Sequence, residues 1–306
     1  MQRPPKFPFL RRFRFAGPLL FVLLVAYVGP TDVLRALSNS HFYLLLAAVG
    51  LNVPNVGMKA VRLLLFMRHA GVSCPFRKVF SAYMTSIFIG LLTPGRVGEF
   101  VKVAIIGQDV GVPMRKVFPP VLIDRLFDLY LLLGLGLIAL FRYSLLTEQT
   151  VVAALVVIAF GMSLPFLMGS STFARWVGSL SQPLRLGAGW AHSIDELSAQ
   201  FRSYTGVLVL AAGLCTFAAY LLLVVQYDLC AMSLALNIPF FDLALIVAAA
   251  SFVSLLPISV AGIGVRDVTL VVLLARVGIE QSQALALSVA LLVVLPLGCG
   301  LIGLVF

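Results

Sequence analysis

The 306 residues carry 22 Lys and Arg against 12 Asp and Glu, a formal charge of +10, yet only 11% of the chain is charged and 61% is hydrophobic. Mean hydropathy is +1.08. Such a chain has too little charge to clothe a soluble catalytic domain. Its basic residues are not gathered on a polar face with interleaved aromatics, which excludes nucleic acid as a partner. The reading is an all-α polytopic protein of a cell membrane, the bacterial or archaeal plasma or inner membrane.

The first fourteen residues hold Arg3, Lys6, Arg11, Arg12 and Arg14 with no acid, and an apolar run follows from Phe15 to Val28. This is the pattern of a signal anchor with a cytoplasmic N-terminus. The rival, a cleavable leader, lacks a small-x-small site. Apolar length and turn signals place full spans at 16–36, 42–66, 118–141, 150–168, 206–232 and 283–306.

Two further apolar segments, 80–106 and 241–276, are interrupted midway. The first break runs from Leu92 through Thr93, Pro94, Gly95, Arg96, Val97 and Gly98 to Glu99. The second contains Pro257, Ala261, Gly262, Gly264, Arg266 and Asp267. Proline removes a backbone donor and glycine permits positive φ, so both breaks can reverse the chain. Each arm is about half a bilayer long at 1.5 Å per residue, which suits a re-entrant helical hairpin; the alternative is eight ordinary spans.

Charge placement weighs these two readings. With hairpins, the cytoplasmic regions 1–15, 67–79, 107–117 and 169–205 hold thirteen Lys and Arg, and the outer connections hold three. Lys and Arg concentrate in cytoplasmic loops, which favours hairpins. The chain 1–306 is then a single transmembrane domain of six full spans and two hairpins. Its halves, 16–141 and 150–306, each cross the membrane three times and so form an inverted repeat. A cytoplasmic interfacial linker, 169–205, joins them. In such repeats the two broken helices meet near the midplane and hold the substrate.

Cys74, Cys215, Cys230 and Cys299 form no C-x-x-C pair, and the three histidines are dispersed. No metal or cofactor is expected, and the cysteines read as reduced core residues. No Walker motif is present, so neither ATPase nor transferase activity is expected.

Charges at membrane depth are costly and face a protein interior or wet cavity. Six basic residues qualify (Lys59, Arg62, Arg96, Lys102, Arg125 and Arg266), with Glu99, Asp124, Asp128, Asp228 and Asp267 as the acids. Structural pairing of Glu99 with Arg96 or Lys102, of Arg125 with Asp128, and of Arg266 with Asp267 is one reading. An anion site is the other, because each break sets a helix N-terminus beside an arginine. The substrate-binding candidates are Lys59, Arg96, Glu99, Lys102, Arg125, Asp128, Arg266 and Asp267. The breaks are shaped by Pro94, Gly95, Gly98, Pro257, Gly262 and Gly264.

The run from Pro94 to Lys102, the pair Asp124-Arg125 with Asp128, and the stretch from Pro257 to Asp267 together resemble the flippase-like transmembrane domain of lysylphosphatidylglycerol synthases and its stand-alone relatives. The similarity spans nearly the whole chain, without the aminoacyl-transferase domain. Lys102 stands where arginine is usual, Asp124 and Asp267 where glutamate is usual, and Ala261 where a glycine is common; charge sign is kept and reach altered. The resemblance implies translocation of a phospholipid between leaflets, with Arg96, Arg125 and Arg266 on the headgroup phosphate. Glu99 and Asp267 would position those arginines or carry a coupling proton. The alternative function is a membrane-embedded accessory subunit or an enzyme of lipid or polyprenyl-lipid biosynthesis. Expected partners are phosphate-bearing membrane lipids, with a second copy of the chain or a lipid-biosynthesis enzyme beside them.

Overall fold

The computed structural model describes residues 40–91, 93, 96–143, 203–254 and 264–299, with the isolated Thr31 and Ala199. The expected span 150–168, nearly all of the span 16–36 and of the linker 169–205, and Pro94, Gly95, Pro257 and Gly262 lie outside them. Among the described residues the secondary structure is helical throughout. The helices are α1 (Phe42–Gly50), α2 (Asn52–His69), α3 (Phe76–Leu91), α4 (Val101–Val110), α5 (Met114–Arg142), α6 (Gly206–Ser233), α7 (Phe240–Val253), α8 (Val265–Arg276) and α9 (Gln281–Leu292). A 3-10 turn, Val97–Phe100, leads into α4, and a π turn, Val293–Leu297, continues α9.

The expected 42–66 span is two helices in line, α1 and α2, meeting at Leu51 just before Pro54, whose missing N–H leaves the preceding turn incomplete. Together they are 28 residues long, enough to cross a membrane, as is the 28-residue α6. The 29 residues of α5 are about 44 Å long. The surface of α6 explains its solvent. Val207, Leu210, Leu214, Phe217 and Leu221 recur at helical spacing and are exposed, whereas Thr216, Gln226 and Ser233 of the same helix are buried. Apolar residues outward and polar residues inward suit a helix solvated by hydrocarbon.

A few long-range bonds order the bundle. Arg62 reaches Thr216, Asn55 reaches the Ala219 carbonyl, and Asn52 meets Gln226, so α2 and α6 are antiparallel neighbours. At one end, His41 N–H donates to the Ser233 carbonyl and Tyr143 OH to Asp242. At the other end, His69 meets Ser203 at 2.9 Å, and Lys78 Nζ donates to the Asp109 carbonyl at 2.6 Å. Arg68, Arg77, Lys78, Arg115 and Lys116 are all sited at this second end.

The interrupted segments each consist of two helices packed against one another, α3 with α4 and α7 with α8. The Lys78 contact brings the start of α3 to the end of α4, so this helical hairpin opens at the basic end. Asp242 near the start of α7 meets Arg142 and Tyr143 at the close of α5, so the α7 arm begins at the opposite end. Each hairpin has its own apolar core. One gathers Val56, Leu63, Tyr83, Met84 and Ile106; the other gathers Tyr227, Ile246, Leu270, Leu274 and Leu287.

Candidate functional site

Between the two cores lies a cavity of about 180 Å³, far larger than the roughly 10–15 Å³ that admits one water. Lys59, Arg96, Arg125 and Arg266 line it, against two carboxylates, Glu99 and Asp128. These side chains converge from separate parts of the fold: Lys59 from α2, Arg96 and Glu99 from the turn before α4, Arg125 and Asp128 from α5, and Arg266 from α8.

The tip of the first hairpin positions Arg96 and Glu99. Arg96 has φ +55°, the left-handed region, and the 3-10 turn that follows places residues three apart on one side. Arg96 Nη1 is therefore 4.0 Å from Glu99 Oε1, while Lys102, the next member of the three-residue series, is carried away by the change to α-helical pitch. Gly98 N–H donates to Thr93 Oγ1 at 2.7 Å, closing the turn. A Cβ on Gly90 would stand 2.4 Å from Glu99 Cγ, so glycine in α3 is what lets the Glu99 side chain lie across that helix. Glu99 then pairs closely with Arg125.

Arg125 in turn approaches Asp128 at 3.9 Å. The pairings expected of Glu99 with Arg96 and of Arg125 with Asp128 are thus present; that of Glu99 with Lys102 is not, because Lys102 turns into a sealed cluster behind the cavity. There Lys102 Nζ is 3.3 Å from Asp124 Oδ2 and 3.7 Å from the centre of the Tyr83 ring. Asp124 also accepts from Tyr83 OH and from Arg62 Nε at 2.8 Å. Arg62 Nη1 reaches Asp128 and Thr216 at 2.7 Å each. Arg62, Lys102 and Asp124 are fully buried. Asp124, together with Asp128 at the cavity wall, offsets the desolvation of the two cations.

On the second hairpin, Gly264 has φ +87°, and its N–H donates to Asp267 Oδ2 at 2.8 Å. The carboxylate thereby caps the first turn of α8. Its other oxygen holds Arg266 Nη2 at 2.7 Å and accepts from Ser288 of α9. Asp267 is fully buried and lies outside the cavity lining, whereas Arg266 belongs to it. Of the eight sequence-derived candidates, six line the cavity, and Lys102 and Asp267 support it from behind.

The cations keep donors to spare. Among the described residues, Arg96 Nε and Arg125 Nε are buried without a hydrogen-bond partner, and Lys59 forms no hydrogen bond or ion pair. Sequence reasoning passed over the neutral polar part of the lining. Asn52, Asn55, Thr216 and Gln226 contribute to it. The signal was present in α2, where Asn52, Asn55, Lys59 and Arg62 recur every three or four residues within an apolar span. The four cysteines are buried and free, and no cluster of three or more metal-ligating side chains occurs among the described residues.

A bundle with apolar residues outside, polar residues inside and a cationic cavity between two helical hairpins is a helical membrane protein with an internal site. The chain belongs to the family of the lysylphosphatidylglycerol synthase transmembrane region, whose model matches residues 14–303. That membership ties it to membranes and to lipid handling. It is similar to a UPF0104 membrane protein of Pyrococcus horikoshii, 23% identical over 301 residues, covering 90% of this chain and 89% of the relative. No solved structure matches.

Proposed function

We propose that this protein moves a lipid with an anionic headgroup between membrane leaflets, without ATP, through the cavity between its hairpins. The observation that carries this reading is the convergence of Lys59, Arg96, Arg125 and Arg266 on one cavity that, among the described residues, holds two carboxylates. Structural pairing alone would match charges, whereas across the cavity and the cluster behind it six cations (Lys59, Arg62, Arg96, Lys102, Arg125 and Arg266) meet four carboxylates (Glu99, Asp124, Asp128 and Asp267) among the described residues. The cavity instead has an excess of cations with unused N–H groups, and a phosphate offers the acceptors they lack. Glu99, set against Arg125, holds that guanidinium in place and yields part of it to an incoming phosphate. Asp267 does the same for Arg266 from behind.

The opposed openings of the two hairpins support an inverted repeat, 16–141 against 150–306, with both hairpins re-entrant and their tips near the bilayer midplane. The basic end of the bundle then faces the cytoplasm, as does the N-terminus. Reconstitution into liposomes tests the function. Purified protein should speed loss of leaflet asymmetry of a labelled anionic phospholipid, and Arg266→Ala should lower the rate at least tenfold. Undiminished movement after replacement of Arg96, Arg125 and Arg266 together would sink the proposal; conversion of the lipid into a new species would point to an enzyme instead.

A further inference from the structure

The two hairpin cores share no residue, so each hairpin belongs to a packed body of its own with the cavity between them. Among the described residues three helical paths run from one core to the other: α1 into α2, from Ala48 to Val56; α5, from Val121 to Ala139; and α9 into its π turn, from Leu291 to Cys299. Each path is irregular where it crosses. The first is interrupted at Leu51, where Pro54 leaves the Gly50 carbonyl without its helical donor. The third widens into the π turn Val293–Leu297, which contains Pro296. The second holds Gly134, and a Cβ built there would meet none of the described residues within 4 Å. Packing therefore does not call for glycine at this position; its effect is a helix weakened there relative to alanine.

The first and third crossings are joined. Asn52, 3% exposed, donates Nδ2 to the Val294 carbonyl of the π turn at 2.8 Å, and its Oδ1 accepts from Gln226 Nε2 at 3.1 Å and from Cys299 Sγ at 3.3 Å. A Cβ on Gly298 would stand 2.8 Å from Asn52 Nδ2, so glycine admits this close approach. By helical rise Asn52 lies about 26 Å from His69, and Gly134 about 30 Å from Met114, both measured from the basic end. Two weak points at similar depth on separate helices define an axis across the bundle. Ion pairs leave that axis free. Among the described residues, those of Glu99, Asp124 and Asp128 are internal to the first body, and those of Asp242 and Asp267 to the second. Across the cavity the bodies present like charge, Arg96 and Arg125 from the first and Arg266 from the second. These repel at low dielectric, and an anion between them turns repulsion into attraction.

We infer that the two hairpin bodies tilt against one another about an axis through the Asn52 junction and Gly134, and that an anionic headgroup closes them by bridging Arg266 to Arg96 and Arg125. The inference rests on the anionic-headgroup function proposed above. The test uses the full chain in vesicles and stiffens the axis by Pro54→Ala with Gly134→Ala, neither of which lines the cavity. Labelled phosphatidylglycerol should cross roughly tenfold more slowly in this variant, with thermal stability unchanged or raised, which separates stiffening from damage. If the pair of substitutions lowers stability, Gly134→Ala alone is read in the same way. Spin labels on Arg77→Cys and Arg276→Cys, exposed positions on the two bodies, in a background without the native cysteines, read the tilt. Their separation should differ by several ångströms between vesicles of phosphatidylglycerol and of digalactosyldiacylglycerol, which has no phosphate. That difference should vanish in the stiffened variant and in Arg266→Ala. A separation equal in both lipids, a difference retained in the stiffened variant, or a native rate in that variant would overturn the axis while leaving the anion site standing. If the native protein moves no anionic lipid, the proposed function falls, and the separation alone decides for or against the axis.

Discussion

Replacing Asp124 by asparagine should destabilise the protein more than any other single change to the sealed cluster. Asp124 is fully buried and accepts from Arg62 Nε at 2.8 Å, Lys102 Nζ at 3.3 Å and Tyr83 OH. An amide in its place removes the charge that offsets two buried cations and turns an NH₂ group toward donors. Removal of one partner from a buried ion pair costs about 3–5 kcal/mol. Arg62 retains Asp128 as a partner, which limits the loss, but Lys102 has no other carboxylate within ion-pair distance among the described residues. At about 2–4 °C per kcal/mol for a chain of this size, the melting temperature should fall by roughly 10 °C. The buried free cysteines Cys74, Cys215, Cys230 and Cys299 supply the readout, through a thiol-reactive dye during a thermal ramp in detergent. Lys102→Met, which leaves Asp124 with Arg62 and Tyr83, should cost less. A melting temperature within about 2 °C of the native value for Asp124→Asn would refute the view that this cluster is structural.

Gly90→Ala should force Glu99 off Arg125, because the new methyl would stand 2.4 Å from Glu99 Cγ; a loss of about 1–3 kcal/mol from overpacking is expected, with lipid movement reduced in the same liposome assay. Arg96→Gly removes a cation from the cavity but relieves a left-handed backbone, so thermal stability should be unchanged or raised by up to about 1 kcal/mol while transport falls several-fold; a parallel loss of both would contradict this. Single cysteines replacing Arg77 and Asp109, in a background without the native four, should label from one side of the membrane, and those replacing Asp242 and Arg276 from the other. Labelling of Arg77→Cys and Asp109→Cys from opposite sides would eliminate the first hairpin.

Much of the fold was legible in one dimension because a bilayer imposes a length on every apolar helix and a high cost on every charge within it. The bounds of α5 and α6 depart from the expected 118–141 and 206–232 by a few residues at most. The expected 42–66 span is matched by α1 and α2 in line, Phe42–His69, with an interruption at Leu51 near Pro54 that hydropathy does not register. The 80–106 segment begins earlier and ends later, at Phe76 and Val110, because amphipathic ends of hairpin arms carry Arg77, Lys78 and Asp109 outside the apolar run.

The sequence by itself determined that this is a helical membrane protein with two broken segments and named the charges that matter, since burying a charge in hydrocarbon is tolerated only for a reason that leaves a mark in composition. Tertiary structure alone decided which of those charges cancel and which remain open. Lys102 is three residues from Glu99 in the chain, yet it joins Asp124 behind the Tyr83 ring, while Glu99 faces Arg125 across the cavity. The reason is rotational. A change from 3-10 to α-helical pitch at Val101 turns Lys102 out of line with Arg96 and Glu99, and no spacing rule specifies which partner waits there. The same holds for Asn55 and Gln226, whose amide nitrogens are fixed by carbonyls 164 and 178 residues away.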